Sequence, residues 1–195
     1  MRKLIRKLSD MRGISGFEYR LTDQIADMFK KYCDDVKIDS LGSVIAVKRS
    51  NKPNAPKLMI EAHCDEIGLI VTSITDEGYL TFANVGGVDE RTLPSTEVTV
   101  HGKEDLWGVI GIKPNYLLEQ GKTAKLKELA VDTGLSAEKV KELVAVGDSI
   151  TLAQSVGRLG KKQFSGKSLD DRASVAAIMR VMKNIKDLDI DIDVY

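Results

Sequence analysis

The sequence predicts an α/β protein whose α/β domain is interrupted by a β-rich insertion, and three observations indicate this. Residues 1–67 contain one amphipathic helical pattern followed by two apolar, strand-like runs. Residues 68–163 consist mainly of short β-rich runs separated by turns, which is typical of a small barrel or sandwich. Residues 164–195 return to a helical pattern and then to a strand-like one. We therefore expect one α/β domain in two parts, with a separate domain between them.

The first part begins with a helix and continues with two strands. Apolar residues at helical spacing predict a helix from about Phe17 to Tyr32. Ser15-Gly16-Phe17-Glu18 has the pattern of a capping box, so we expect the Ser15 and Glu18 side chains to bind free amides at the start of that helix. Runs at 43–48 and 57–62 predict two strands, and the second one ends in His63-Cys64-Asp65-Glu66.

The insertion contains several predicted strands and one helix. Ser136 is the expected N-cap of a helix over 137–144, with Glu138 in its positive first turn. The predicted strands lie at 69–74, 79–83, 96–101, 107–112 and 149–152.

The last part of the chain resumes the α/β pattern. Apolar residues from Val175 to Ile185 recur at helical spacing, which predicts a helix beginning near Asp170. The alternation over 189–195 predicts a strand. A sheet strand at the very end of a sequence is unusual, so we expect the C-terminal part of the α/β domain to be missing from these 195 residues.

Composition excludes several classes of protein. Lys and Arg number 29 and Asp and Glu number 29, so the formal net charge is zero, which argues against nucleic-acid binding. No stretch approaches the roughly 20 apolar residues of a membrane helix, and the N-terminus lacks a secretory pattern. We therefore expect a cytoplasmic protein that contacts no membrane. The two cysteines, Cys33 and Cys64, indicate neither a disulfide framework nor a thiolate zinc site.

The first candidate site is His63-Cys64-Asp65. Because side chains alternate along a strand, His63 and Asp65 are expected on one face and Cys64 on the other. A neutral imidazole is a common metal ligand, and a nearby carboxylate can orient it. The simpler interpretation is a hydrogen-bonding histidine at a strand end, and the residues alone leave both interpretations open.

The second candidate site is the pair Asp170 and Asp171 at the start of the last helix. Carboxylates at a helix N-terminus are stabilised by the helix dipole and need no further role. If they are buried, they need cations, and Arg172 is the neighbouring candidate for an ion pair. A carboxylate that bridges two metal ions is the functional alternative.

Five segments together resemble the M42 family of metallo-aminopeptidases, also called glutamyl or deblocking aminopeptidases, some of whose members are labelled endoglucanase or cellulase M. The resemblance spans essentially the whole chain in the family's order. The matching segments are Ser15-Gly16-Phe17-Glu18, Glu61 to Gly68, Val85 to Asp89, Gly108 to Pro114 and Ser165 to Ala173.

This resemblance implies a zinc-peptidase-like α/β domain interrupted by a β-barrel dimerisation domain, and assemblies from dimers to dodecamers. It also implies a pair of Zn²⁺ or Co²⁺ ions that activate a water for cleavage of the first peptide bond of a peptide substrate. By motif position, His63 and Asp170 correspond to metal ligands, with Asp170 as the bridging one. Asp65 corresponds to the catalytic-site residue that orients His63.

The chain departs from the family pattern at three points. Cys64 stands where the family usually has Met, and Tyr116 stands where it often has His. Family members continue to an adjacent Glu-Glu pair, a further Asp ligand and a distal His ligand, whereas this sequence contains no Glu-Glu dipeptide. Its other histidine, His101, falls in the predicted insertion.

Three hypotheses about function follow. The first is that the chain is the N-terminal part of an M42 aminopeptidase whose activity needs the absent ligands. The second is a non-catalytic oligomerisation or metal-binding module. The third, glycoside hydrolysis, rests on the endoglucanase label and is disfavoured because aromatic residues, which form sugar platforms, make up only 5% of the chain.

Overall fold

The computed structural model describes residues 1–112 and 125–195, and within these ranges it contains four α-helices and twelve β-strands. The helices are α1 (Arg2–Asp10), α2 (Tyr19–Phe29), α3 (Ala137–Leu143) and α4 (Leu169–Ile185). The strands in residues 1–112, before the gap in the described residues, are β1 (Asp35–Ile38), β2 (Val44–Val47), β3 (Lys57–Leu58), β4 (Gly68–Ile74), β5 (Leu80–Val85), β6 (Glu97–His101) and β7 (Asp105–Ile112). Those after it are β8 (Leu129–Asp132), β9 (Ser149–Leu152), β10 (Gly157–Leu159), β11 (Gln163–Ser165) and β12 (Asp193–Val194).

The chain divides into two compact units. Unit 1 comprises Met1–Glu66 and Ser155–Tyr195, and unit 2 comprises Ile67–Gln154. The two segments predicted to be α/β, residues 1–67 and 164–195, therefore fall almost entirely in the same unit, unit 1. Unit 2 ends at Gln154, whereas the sequence places the end of the insertion at 163, because the hairpin of β10 and β11 groups with unit 1.

Unit 2 is a closed β-barrel of six strands within the described residues, in the order β4-β5-β8-β7-β6-β9. Of the two shapes the sequence left open, the barrel is the one found. The barrel closes because β4 pairs with β9, which places Leu69 opposite Ile150. Inward side chains on alternating positions form an apolar core that includes Leu69, Leu80, Val98, Val131 and Ile150, each fully buried.

Helix α3 of unit 2 follows the sequence prediction closely. It begins after Ser136, whose Oγ accepts a hydrogen bond from the amide of Lys139, as expected of an N-cap. Val140 and Leu143 on its inner face join the barrel core. Tyr116 and Pro114, two positions of the family comparison, lie outside the described residues.

Unit 1 is built from α1, α2 and α4 together with short strands. β1 pairs antiparallel with β2, and β12 pairs parallel with β3. An isolated antiparallel bridge between Lys48 and Val194 links these two pairs. The apolar faces of the three helices meet in one core that includes Leu8, Leu21, Ile25, Met179 and Met182.

Several predicted elements of unit 1 are shorter in the structure. The helix expected over 17–32 is α2, Tyr19–Phe29. The strands expected over 57–62 and 189–195 pair only at Lys57–Leu58 and Asp193–Val194, because the parallel register of β3 and β12 covers those residues alone. No helix in residues 1–112 and 125–195 has the length and apolar character needed to cross a bilayer.

The barrel core yields a stability prediction. We expect Leu69→Ala to lower the free energy of unfolding of unit 2 by about 2–5 kcal/mol, because the fully buried side chain leaves a cavity. Urea titration monitored by the fluorescence of Trp107, the single tryptophan and a residue of β7, measures this change. Val146→Ala is the control within the same unit, since Val146 is 64% exposed and its truncation should change stability by less than about 0.5 kcal/mol. An equal effect of the two substitutions would contradict the described core.

Candidate functional site

Two segments of unit 1 that are distant in sequence meet at the candidate site. The first is His63-Cys64-Asp65-Glu66, which follows β3. The second is the turn that leads into α4 and carries Asp170. The three residues predicted as site residues, His63, Asp65 and Asp170, are brought together here.

His63 lies between the two predicted carboxylates. Its Nδ1 is 3.0 Å from Asp65 Oδ1, and its Nε2 is 3.1 Å from Asp170 Oδ1, a residue 107 positions later. Both ring nitrogens therefore face oxygens that only accept hydrogen bonds. A neutral imidazole has a single N–H donor, so this arrangement is satisfied either by a protonated ring or by a cation shared between Nε2 and Asp170.

The ionisation of the site follows from these contacts. Burial by itself lowers the pKa of His63, but the hydrogen bonds to Asp170 and Asp65 outweigh it and raise the pKa above its ordinary value. The pKa of Asp65 is lowered, first by a hydrogen bond from Ser15 and then by its contact with His63. Asp65 is therefore ionised at neutral pH and can orient the imidazole.

The predicted capping box is wrong. Helix α2 has Glu18 as its N-cap residue, with no side-chain cap bond. The Ser15 hydroxyl instead donates a hydrogen bond to Asp65 Oδ2, and the Glu18 carboxylate accepts one from the Gly16 amide at 2.7 Å. A bond to a distant carboxylate thus replaces the local cap, because the chain at Ser15 runs beside the segment that carries Asp65 and Glu66.

Asp170 is placed for contact with solvent or a ligand. Its side chain is 95% exposed, so it is not the buried charge that the sequence considered. The backbone angles at Asp170 and Asp171 depart from helical values, and regular helix geometry begins after them. Asp170 therefore lies in a non-helical turn and contacts His63. A position in the first turn of a regular helix, near the positive end of the helix dipole, does not account for this contact.

A buried charge cluster lies directly behind these exposed groups. The Glu66 side chain is 4% exposed and pairs with Lys167 Nζ at 2.6 Å and with Arg172 Nη2 at 3.5 Å. Ser168 Oγ also donates a hydrogen bond to the same carboxylate, and so does the Gly13 amide, at 3.2 Å. Burial lowers the pKa of both Lys167 and Arg172, and the Glu66 carboxylate opposes that shift.

Arg172 does not pair with Asp170 or Asp171, the partners considered from the sequence. Its side chain is fully buried and points away from them, toward Glu66. The guanidinium has five N–H donors, and a single carboxylate cannot accept them all. Backbone carbonyl oxygens supply the other acceptors, and these belong to Cys64, Leu8, Ser9, Met11 and Gly13.

An apolar groove of about 1060 Å³ adjoins the site in unit 1. His63 and Asp65 line one part of it, and residues of α2, α4, β2, the turn before β2 and the segment after β3 line most of the remainder. Met59, which is 71% exposed, is the most accessible apolar side chain of that segment. Contiguous exposed apolar surface of this kind is typical of a binding or interaction face.

The donors at the site fit a divalent cation in type but are few in number. An imidazole nitrogen and a carboxylate oxygen are ordinary ligands of Zn²⁺ and Co²⁺. Catalytic zinc sites usually have three protein ligands. Within residues 1–112 and 125–195, no group of three or more His, Cys, Asp or Glu residues is arranged to hold a metal ion.

A chain that combines a closed six-stranded barrel with a helix-and-sheet unit carrying a carboxylate-flanked histidine has known counterparts. Residues 42–195 match the M42 glutamyl aminopeptidase family. The chain is 33% identical to the lysyl aminopeptidase of Pyrococcus furiosus over 97% of its own length and 56% of that protein. This chain therefore belongs to the M42 aminopeptidase family, whose members are hydrolases.

Solved structures give the same result. Aminopeptidase APDkam598 from the archaeon Desulfurococcus kamchatkensis has a TM-score of 0.90 and 36% identity, covering 98% of this chain and 53% of that one. The TET1 peptidase of Pyrococcus horikoshii, which can assemble into a tetrahedron or a large octahedral shell, has a TM-score of 0.87 and 34% identity over 99% of this chain and 58% of that one. The chain spans 51% to 58% of the length of the curated relatives it matches.

Sequence reasoning missed the residues behind the site. Glu66 and Lys167 were part of the quoted motifs, but no role was assigned to them. One feature of the sequence could have indicated a buried ion pair. Glu66 lies shortly after the predicted apolar strand, and two cationic residues, Lys167 and Arg172, lie on either side of the aspartate pair. Ser15 was assigned to the helix instead of to Asp65.

Loss of the buried carboxylate should destabilise unit 1. We expect Glu66→Gln to lower the free energy of unfolding by about 3–5 kcal/mol, because it leaves Lys167 and Arg172 buried without an anion. Far-UV circular dichroism during urea titration measures this change. Glu142→Gln is the matched control, because it removes an exposed pair with Lys139 and should change stability little. Equal stability of the Glu66→Gln protein and the parent chain would show that the cluster is not essential.

The two cysteines should react slowly with thiol reagents. Burial raises the pKa of Cys33 to about 11 and also raises that of Cys64. Because the thiolate is the reactive form, we expect the rate of alkylation by iodoacetamide to be low at pH 8 and to keep rising as the pH increases above 9. A rate that reaches a plateau near pH 9, as for an exposed thiol, would contradict this assignment. Mass spectrometry of the alkylated peptides resolves the two residues.

Proposed function

We propose that this chain supplies the N-terminal part of a metal-dependent aminopeptidase, which removes N-terminal residues from peptides. The observation that carries the proposal is the convergence of His63, Asp65 and Asp170 in a member of the M42 family. His63 and Asp170 would hold the metal ions, Asp170 as the ligand common to both, and Asp65 would orient His63. Two divalent ions, Zn²⁺ or Co²⁺, supply Lewis acidity and an activated water when bound in such a site.

Each of these residues has a defined task. Asp65 is ionised and would accept a hydrogen bond from the Nδ1–H group of His63, which would leave the Nε2 lone pair on the side of Asp170. The Asp170 side chain is 95% exposed, so its carboxylate would be accessible to a second ion. Accepting a proton from the attacking water requires a general base, and the family's Glu-Glu pair, which would supply it, is not present in this sequence.

We further infer that the active enzyme needs polypeptide in addition to these 195 residues. Two donors are fewer than a catalytic zinc site uses, which supports the need for ligands from elsewhere. The exposed apolar groove beside the site supports the same conclusion, since such surface is normally covered. Relatives are nearly twice as long as the matched region.

Assembly and location are also part of the proposal. The assembly of the Pyrococcus horikoshii peptidase into closed shells supports a homo-oligomer for the complete enzyme. The barrel of unit 2 is the proposed dimerisation domain, and a peptide is the proposed substrate. A cytoplasmic location and the choice between Zn²⁺ and Co²⁺ stay predictions from the sequence.

Metal binding tests the ligand assignment. We expect the chain to bind Zn²⁺ weakly in competition with a chromophoric chelator, and His63→Ala and Asp170→Asn each to abolish that binding. His101→Gln and Asp187→Asn are matched controls that remove a histidine of the barrel and an exposed carboxylate after α4. Loss of binding in the controls, or its retention in both site variants, would overturn the assignment.

Complementation tests the function. We expect the isolated chain to release almost no product from amino-acid anilides. Addition of the part of the Pyrococcus furiosus lysyl aminopeptidase that lies beyond the matched region should generate activity that Asp170→Asn removes. Strong metal-dependent activity of the isolated, homogeneous chain would contradict the need for further polypeptide. Metal binding and dimerisation without any activity after complementation would favour the non-catalytic module.

A further inference from the structure

We propose that Ser15 is a positioning residue for His63 and acts through Asp65. The proposal rests on the proposed function only for what His63 binds, since the contacts themselves lie within this chain. Ser15 belongs to a motif that sequence analysis assigned to a helix cap. The structure instead shows its hydroxyl donating to Asp65 Oδ2.

Ser15 reaches Asp65 because its segment runs beside the segment that contains Asp65 and Glu66. Ile14 forms an isolated parallel bridge with Glu66, whose amide donates to the Gly13 carbonyl at 2.9 Å. The Ile14 side chain is buried and anchors this stretch in the core. Gly16 follows with a φ of +88°, a left-handed value that turns the chain away directly after Ser15.

The two oxygens of Asp65 are divided between two partners. Oδ2 accepts from Ser15, and Oδ1 lies 3.0 Å from His63 Nδ1. The terminal torsion of an aspartate side chain is broad, so a single contact does not fix the plane of its carboxylate. A second contact from Ser15 fixes that plane and so holds the imidazole with Nε2 toward Asp170. The relay therefore has the order Ser15, Asp65, His63, Asp170.

A purely structural role for Ser15 predicts different results. As a helix cap, Ser15 would stabilise α2, but the N-cap of α2 is Glu18, and Ser15 is exposed. Removal of the hydroxyl should therefore leave the fold intact and release the orientation of His63. Ser15→Ala removes the donor, whereas Ser15→Thr retains a hydroxyl and should restore the relay.

The experiment uses ¹⁵N-labelled, metal-free protein and nitrogen–proton correlation spectra of the imidazole rings. The chain has two histidines, so each ring is assigned by one substitution. His101 is an internal control, because its ring is also held on both sides, by Asp105 and Thr151, each at 2.9 Å. Ser40→Ala, in the turn between β1 and β2, is the control for an exposed serine of the same unit.

We expect Ser15→Ala to shift the His63 ring resonances and to accelerate exchange of its Nδ1 proton, with His101 unchanged and Ser15→Thr close to the parent protein. Zinc affinity, measured by chelator competition, should fall about 10-fold in Ser15→Ala, as for other groups that orient a ligand. Unchanged His63 resonances in Ser15→Ala would overturn the proposal. So would a loss of α2 helicity, measured by circular dichroism, that accompanies any His63 shift.

The two proposals fail in different ways. If the parent protein binds no zinc, the proposed function fails, while the ring spectra still report whether Ser15 orients His63. If zinc binds and His63→Ala abolishes the binding, but Ser15→Ala changes neither ring spectra nor affinity, only the role of Ser15 fails.

Discussion

The buried ion pairs of Glu66 with Lys167 and Arg172 are the interaction on which the rest of unit 1 depends. Glu66 lies in the segment between β3 and β4, and its cationic partners Lys167 and Arg172 flank the start of α4. Because an unpaired buried charge costs several kcal/mol, these two regions cannot separate while unit 1 stays folded. The buried cluster holds the segment that carries His63 against the start of α4, which carries Asp170. It thereby fixes the relative positions of these two exposed side chains.

The predictable part of the fold is the part governed by local patterns. Helix α3, with its Ser136 cap, and five of the six barrel strands follow from spacing and turn chemistry within short windows, whereas β8 was not predicted. Helix α1 was not predicted, because its nine residues are mostly charged and only Ile5, Leu8 and Ser9 are buried. The strand after Lys57 is shorter than predicted because strand length depends on a partner, and β12 pairs with two residues of it.

The candidate site was predictable in its residues but not in its support. His63, Asp65 and Asp170 were chosen from residue type and motif, and the structure brings both carboxylates within hydrogen-bonding distance of the His63 ring. Ser15 and Arg172 were assigned to neighbours in sequence, because local patterns are all that a single sequence offers. Both side chains instead bind groups about 50 or more residues away, Ser15 at Asp65 and Arg172 at Glu66. Such partners emerge only from the tertiary fold.

The closure of the barrel has a consequence for how the chain folds. Glu66 and Lys167 lie 101 residues apart, so an unfolded chain must close a very long loop to join them. Within the barrel, Leu69 pairs with Ile150, so the entry and exit of unit 2 are neighbours. A barrel that folds first shortens the effective loop roughly fivefold, which reduces the closure entropy by about 1–2 kcal/mol. A barrel that folded first would thus hold close together the two chain segments that continue into unit 1.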